Sequence, residues 1–180
     1  NALEPNRGFV DGSDVEEAEK FLAFVRKNFG EALDNGVLAH FSLHEATNSD
    51  MTTFQKLTAM RDGVEFDGGT PIPDGFFVIS AVQKQAPDLE KAIVDAVRDV
   101  THIAPTDENG EIYGVKALQP GVIYTNVPGV SPMATNPRYA VTTEVYPDSE
   151  QIPLQQREAQ TIAAQVAAVT AGMDHLIRDL

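Results

Sequence analysis

Apolar and polar positions along this chain follow two rhythms. Val15, Ala18, Leu22, Val25 and Phe29 recur at the three- and four-residue spacing of one helix face. Ser13-Asp14-Val15-Glu16 ahead of them fits a capping box, whose hydroxyl and carboxylate satisfy the first free N–H groups. Asn35-Gly36 supplies a stop, so a helix over 14–34 is expected. From Val37 to Leu43 the period changes to two. Val37, Ala39, Phe41 and Leu43 face one way, and Leu38, His40, Ser42 and His44 the other, as in a strand. A short helix over Met51–Met60 would turn Phe54, Leu57 and Met60 inward, with Ser49 or Asp50 as its cap.

Phe76–Val82 is apolar on both faces apart from Ser80, the pattern of a strand in the middle of a sheet. Pro87 opens a helix over 87–100, where its missing N–H costs nothing, with Leu89, Ile93, Ala96, Val97 and Val100 inward. Thr101–Ala104 and Ile112–Leu118 are expected to pair as a hairpin through Asp107-Glu108-Asn109-Gly110. Pro120-Gly121 predicts a type II turn, with Val122–Val127 returning and a Pro-rich loop over Pro128–Pro137. Tyr139–Tyr146 alternates as a last strand. A long helix follows from about Leu154, its stripe Ile162, Val166, Val169, Met173, Leu176 and Leu180 widened by Ala159, Ala163 and Ala167.

These elements make an α+β fold: a mostly antiparallel sheet of five or six strands, helices at both termini and one central helix. The strand 76–82, helix 87–100 and strand 101–104 form a candidate βαβ crossover. At 180 residues the chain is expected to form a single domain, 1–180. Asn1-Ala2 resembles a tag remnant, and no start methionine follows it, which points to a piece of a longer precursor.

Charge narrows the partners. Twenty-seven acids against 13 bases give −14, and no basic stripe is present. Nucleic acid and anionic membrane surfaces both need clustered Lys and Arg, so neither is an expected partner. With no cysteine, disulfides, thiolate metal sites and cysteine nucleophiles are excluded. No uninterrupted apolar run is long enough to insert into a membrane as a helix. The nucleotide-binding glycine patterns and the G-x-S-x-G elbow are also missing.

Three groups of residues carry candidate chemistry. His40, Ser42 and His44 share one strand face, with Glu45 and Asp50 beyond. His40 and His44 could contribute to a metal site, or the imidazoles could serve as base and orienting group around Ser42. The ordinary alternative is a solvent-facing polar strand. The second group is acidic: Asp62, Glu65, Asp67 and Asp74 in one loop, and Asp107, Asn109 and Glu111 in another. Neither follows the EF-hand order, and both read as solvated turns. The third is the stretch Ala117–Pro137, which has no charge of either sign. Tyr124, Asn126, Ser131, Asn136 and Arg138 then form a candidate ligand rim, with Arg138 as the fork for a carboxylate.

Asp107-Glu108-Asn109-Gly110-Glu111 between short strands resembles the D-x-N-G turn of extracytoplasmic PAS-like (Cache) sensor domains, over five residues. The helix 87–100 followed by strands is also similar to phage tail-assembly proteins. Neither likeness names a family. The reading is a non-catalytic ligand-binding or sensory module of an extracytoplasmic protein, with no cofactor and with a small anionic ligand or a protein as partner. One alternative is a metal-assisted hydrolase using His40 and His44, with Glu45 as base. Another is an assembly protein that oligomerises through the Pro-rich loop. The alternative location is cytoplasmic.

Overall fold

A computed structural model describes residues 9, 15–126 and 135–178. Four helices, α1 (Glu16–Asn35), α2 (Gln55–Asp62), α3 (Pro87–Arg98) and α4 (Arg157–Arg178), accompany six strands. The strands are β1 (Ala39–Glu45), β2 (Phe77–Ala81), β3 (Glu111–Ile112), β4 (Val115–Gln119), β5 (Val122–Thr125) and β6 (Tyr139–Val145). They form one sheet in the order β1-β6-β2-β5-β4-β3.

The sheet is mixed, which corrects the mostly antiparallel expectation. β1 runs parallel to β6, and β2 parallel to β5. The joins β2–β6, β4–β5 and β3–β4 are antiparallel. The parallel joins arise because the strands that sit together are far apart in sequence, and their connections carry the chain back across the sheet. α3 is one such connection. It follows β2 and returns to a single parallel bridge, Phe76 to Ile103, so the expected crossover is present in minimal form.

The expected hairpin is displaced. Its tight turn is Tyr113-Gly114, joining Ile112 to Val115, with φ of 53° and 72°. Positive φ at both central positions is the type I′ geometry that matches strand twist. Asn109-Gly110 instead closes a turn upstream. Gly110 N–H donates to the Asp107 carbonyl at 3.0 Å, and the Asp107 carboxylate accepts the Asn109 and Glu111 N–H groups. The D-x-N-G segment is therefore an Asx-type turn leading into β3.

The N-cap residue Val15 and Ala18, Leu22 and Val25 of α1 are buried as predicted, and the helix stops at Gly36, whose φ is 91°. Phe29 is exposed. Ser13 and Asp14, the proposed cap, lie outside the described residues. The segment after β1 begins with a π-helical turn, Asp50–Phe54, before α2, and neither buries a residue. Leu57 and Met60, expected inward, are exposed.

The main core lies between one sheet face and the pair α3–α4. Val78, Val122, Val141 and Val145 meet Leu89, Ile93, Val94, Val97, Ala164, Ala168 and Leu176. Of the stripe predicted for the long helix, Leu176 is buried and Leu180 lies outside the described residues, while Ile162, Val166 and Met173 are exposed. α4 buries Ala164, Ala168, Gly172 and Leu176, a row at strict four-residue spacing. Small side chains let α4 approach closely: a Cβ on Gly172 would meet the Phe41 ring at 2.7 Å. The larger residues Ile162, Val166 and Met173 face outward. A smaller cluster on the opposite sheet face joins Phe77, Ala104, Ile112 and Ile123. No described helix is long and apolar enough to cross a membrane.

Candidate functional site

Two polar clusters flank the sheet. The first sits where β2 and β5 end and where β1 and β6 begin. β2 runs into a short 3-10 turn, Val82–Lys84, and α3 starts at Pro87, so the helix N-terminus opens at the same end. Gln83 donates its side-chain amide to Asn126 Oδ1 at 2.5 Å. Lys84 Nζ donates to the Pro137 carbonyl at 2.5 Å and to Asn136 Oδ1 at 3.3 Å. Asn136 holds φ at 41°, a left-handed conformation that asparagine tolerates better than most residues. Arg138 follows, exposed, with its guanidinium carbon 5.2 Å from the Tyr139 ring centre. His40 Nδ1 lies 2.9 Å from Thr135 Oγ1, in the turn ahead of the neighbouring strand β6.

Three of the five predicted rim residues, Asn126, Asn136 and Arg138, thus come from segments that meet at one end of the sheet. Ser131 lies outside the described residues. Tyr124 reaches α3. Its hydroxyl donates to Glu90, a fully buried carboxyl on α3 that also accepts Ala86 N–H at 3.1 Å and the Gln119 amide at 3.2 Å. Burial and this bond to Glu90 push the Tyr124 hydroxyl well above its ordinary range. Tyr124 is half-buried, and the strand's alternation turns it toward the helices. Lys84 was missed: a lysine just past a strand carries no local signal until the chain that meets it is known.

The second cluster lies on the sheet face turned away from α3 and α4. Alternation does bring His40, Ser42 and His44 to one side of β1, but four residues of strand span roughly 13 Å. One ion cannot take both rings, and their partners differ. Among the described residues no three His, Asp or Glu side chains converge as metal ligands. Glu45 falls on the other face of the strand, so it is not a base beside His44. His44 Nε2 is 3.1 Å from Ser42 Oγ, and its Nδ1 is 3.9 Å from Glu144 on β6, the residue directly across in register. Phe77 flanks Glu144 from β2. Burial, with the charge of Asp50 nearby, pushes the Glu144 carboxyl up to about 8. Burial also holds both His40 and His44 below their ordinary value. Glu144 was legible only as one polar position of an alternating strand. Its pairing with His44 required the parallel β1–β6 register.

The acidic loops do structural work. Asp62 pairs with Arg61, and Asp67 accepts Gly69 N–H at 3.2 Å. Asp74 bonds His102 Nε2 at 2.9 Å and the Gln151 amide at 2.8 Å. Burial works against the charged form of Asp74, but hydrogen bonds from Gln151, Ser149 and His102 outweigh it and hold the carboxyl below its ordinary range. Ser149 Oγ also reaches His102, at 3.5 Å, yet on the same nitrogen as Asp74. A proton relay needs both ring nitrogens, so this trio is a fold contact.

No family model and no curated protein matches the chain. Among solved structures it is similar to a putative metallopeptidase from Shewanella amazonensis SB2B, with 15% identity and a TM-score of 0.51. The alignment covers 88% of this chain and 48% of that one, so this chain spans about half the length of that protein. At such identity the likeness concerns the fold alone.

Proposed function

We propose that this chain is a non-catalytic module that binds a small anion, a carboxylate or phosphate, at the end of the sheet where β2 and β5 finish. The observation that carries this reading is the meeting of Lys84, Asn126, Asn136 and Arg138 there, beside the N-terminus of α3. In a chain of net charge −14, two cations at one sheet end stand out. Arginine offers a planar fork to a carboxylate, and the amides supply neutral donors around it. The dipole at the N-terminus of α3 favours the same charge sign.

A thermal-shift screen with small carboxylates and phosphates tests the reading. At least one anion should raise Tm, and Arg138→Ala should abolish that rise. Because Arg138 is exposed, its loss should change stability itself by no more than about 0.5 kcal/mol. A panel without a hit, or an Arg138→Ala variant that still responds, sinks the proposal.

A hydrolytic reading has one specific observation in its favour. Ser42, His44 and Glu144 stand in the order nucleophile, base, orienting acid, and the structural neighbour is described as a peptidase, though a metal-dependent one. Two features weigh against it. Ser42 is 8% exposed. A carboxyl titrating at about 8 carries its proton at neutral pH and cannot stabilise an imidazolium. Labelling of Ser42 by a fluorophosphonate, lost in His44→Ala, would favour hydrolysis over simple binding.

A further inference from the structure

Lys20, Arg61, Lys91 and Arg98 each pair with a carboxylate. Among the described residues Lys84 and Arg138 do not, although acids outnumber bases 27 to 13 in the chain. Asp88, in the first turn of α3, makes no ion pair with either. Two neutral oxygens hold the Lys84 ammonium, the Pro137 carbonyl at 2.5 Å and Asn136 Oδ1 at 3.3 Å, so its charge is fixed in place but not offset. These contacts use two of its three N–H donors. The exposed Arg138 guanidinium has the Tyr139 ring beside it and no acid. Lys84 bonds the carbonyl of the residue before Arg138, so the two cationic residues adjoin. Adjoining like charges repel, and a counter-charge relieves them. Two amides complete the donor set. A lysine can only donate, so its contact fixes Asn136 with Oδ1 toward Lys84 and leaves Nδ2 as a donor. Gln83 engages Asn126 Oδ1 at 2.5 Å with the same result. Among the described residues nothing accepts from either Nδ2.

We infer, resting on the anion-binding reading above, that the ligand is a short dicarboxylate, with one carboxylate on Arg138 and the other on Lys84. Two uncompensated cations call for two negative charges. They stand on different elements, Lys84 in the turn after β2 and Arg138 just ahead of β6. That separation suits two carboxylates better than the single charged centre of a phosphate. Arginine supplies the planar fork that one carboxylate matches, and lysine a point charge for the other. The Nδ2 groups of Asn126 and Asn136 donate to oxygens that the cations leave unfilled.

Titration calorimetry with succinate and glutarate against butyrate and pentanoate, at neutral pH and constant ionic strength, tests the assignment. Each dicarboxylate should bind about tenfold or more tightly than the monocarboxylate of equal length. Lys84→Gln should erase that preference, and Lys84→Arg should keep it. The ratio separates a ligand contact from a tether, because loosening the turn at Asn136 and Pro137 weakens both kinds of acid alike. A wild type without the preference, or a preference that survives Lys84→Gln, overturns the inference and leaves the anion site standing. So does inorganic phosphate that binds as tightly as the better dicarboxylate. If no acid of either kind binds, the anion-site reading falls and the dicarboxylate with it.

Discussion

Glu90 and Glu144 are two sheltered carboxyls on opposite faces of one sheet, and their surroundings differ in kind. Glu90 is 0% exposed, between α3 and the sheet's helical face. It accepts hydrogen bonds from Ala86 N–H, the Gln119 amide and the Tyr124 hydroxyl. The donors come from the start of its own helix and from β4 and β5, so the carboxyl ties α3 to the sheet. Glu144, with its side chain 14% exposed, faces the imidazole of His44 at 3.9 Å on one side and Phe77 on the other. Its surroundings favour the neutral acid. A buried acid surrounded by donors works as structure, whereas one surrounded by an aromatic ring, a neutral imidazole and another acid is a titrating group.

Removing Glu90 should give the largest effect. Glu90→Ala leaves a buried cavity and strips three donors of their acceptor, which should cost roughly 3–4 kcal/mol. Urea denaturation measures it. A loss under about 1 kcal/mol would mean that the network is dispensable and that the contrast with Glu144 is false. The close packing on that same face gives a second test. Gly172→Ala sets a methyl group against the Phe41 ring at 2.7 Å and should destabilise by about 1–3 kcal/mol. An unchanged or raised Tm would show that the α4–β1 contact is looser than its geometry. Substitutions at exposed Ile162, one face over, should stay within about 0.5 kcal/mol.

The same two faces explain what the sequence could and could not reveal. Periodicity exposed the elements themselves: the α1 stripe, the apolar run of β2 and Pro87 at the start of α3. It placed Leu176 of α4 correctly but misled on Ile162, Val166 and Met173, because that helix carries two apolar rows and the larger side chains read as the core. Only the close approach to Phe41 and Ile93 shows why the small row is the buried one. Asn109-Gly110 outweighed Tyr113-Gly114 as a hairpin signal because tyrosine rarely takes positive φ. Here the Tyr113 hydroxyl accepts from Gln55 at 3.0 Å, a contact 58 residues apart in sequence. The candidate site was half legible for the same reason. Asn126 and Asn136 lie in an uncharged stretch that Arg138 closes. Lys84 and Glu144 gain meaning only through strand pairings that no local pattern records.

The pH dependence of stability tests Glu144 most finely. In the unfolded chain Glu144 ionises near the ordinary 4.5, and in the folded protein at about 8. Between those values the folded state holds a proton that the unfolded state has released. The stabilisation is therefore complete below about pH 4.5, declines as pH rises through the window, and is gone above about pH 8. Glu144→Gln keeps the neutral shape and removes the titration. It should match the wild type at acid pH and exceed it by about 1–3 kcal/mol at alkaline pH. Chemical denaturation of both proteins across this range gives the comparison directly. Asp50→Asn should flatten the wild-type slope in part, because the Asp50 charge is one of the two causes of the shift. Parallel curves for wild type and Glu144→Gln would show that Glu144 ionises as freely folded as unfolded. It would then be an ordinary half-sheltered acid, and the distinction from Glu90 would reduce to burial.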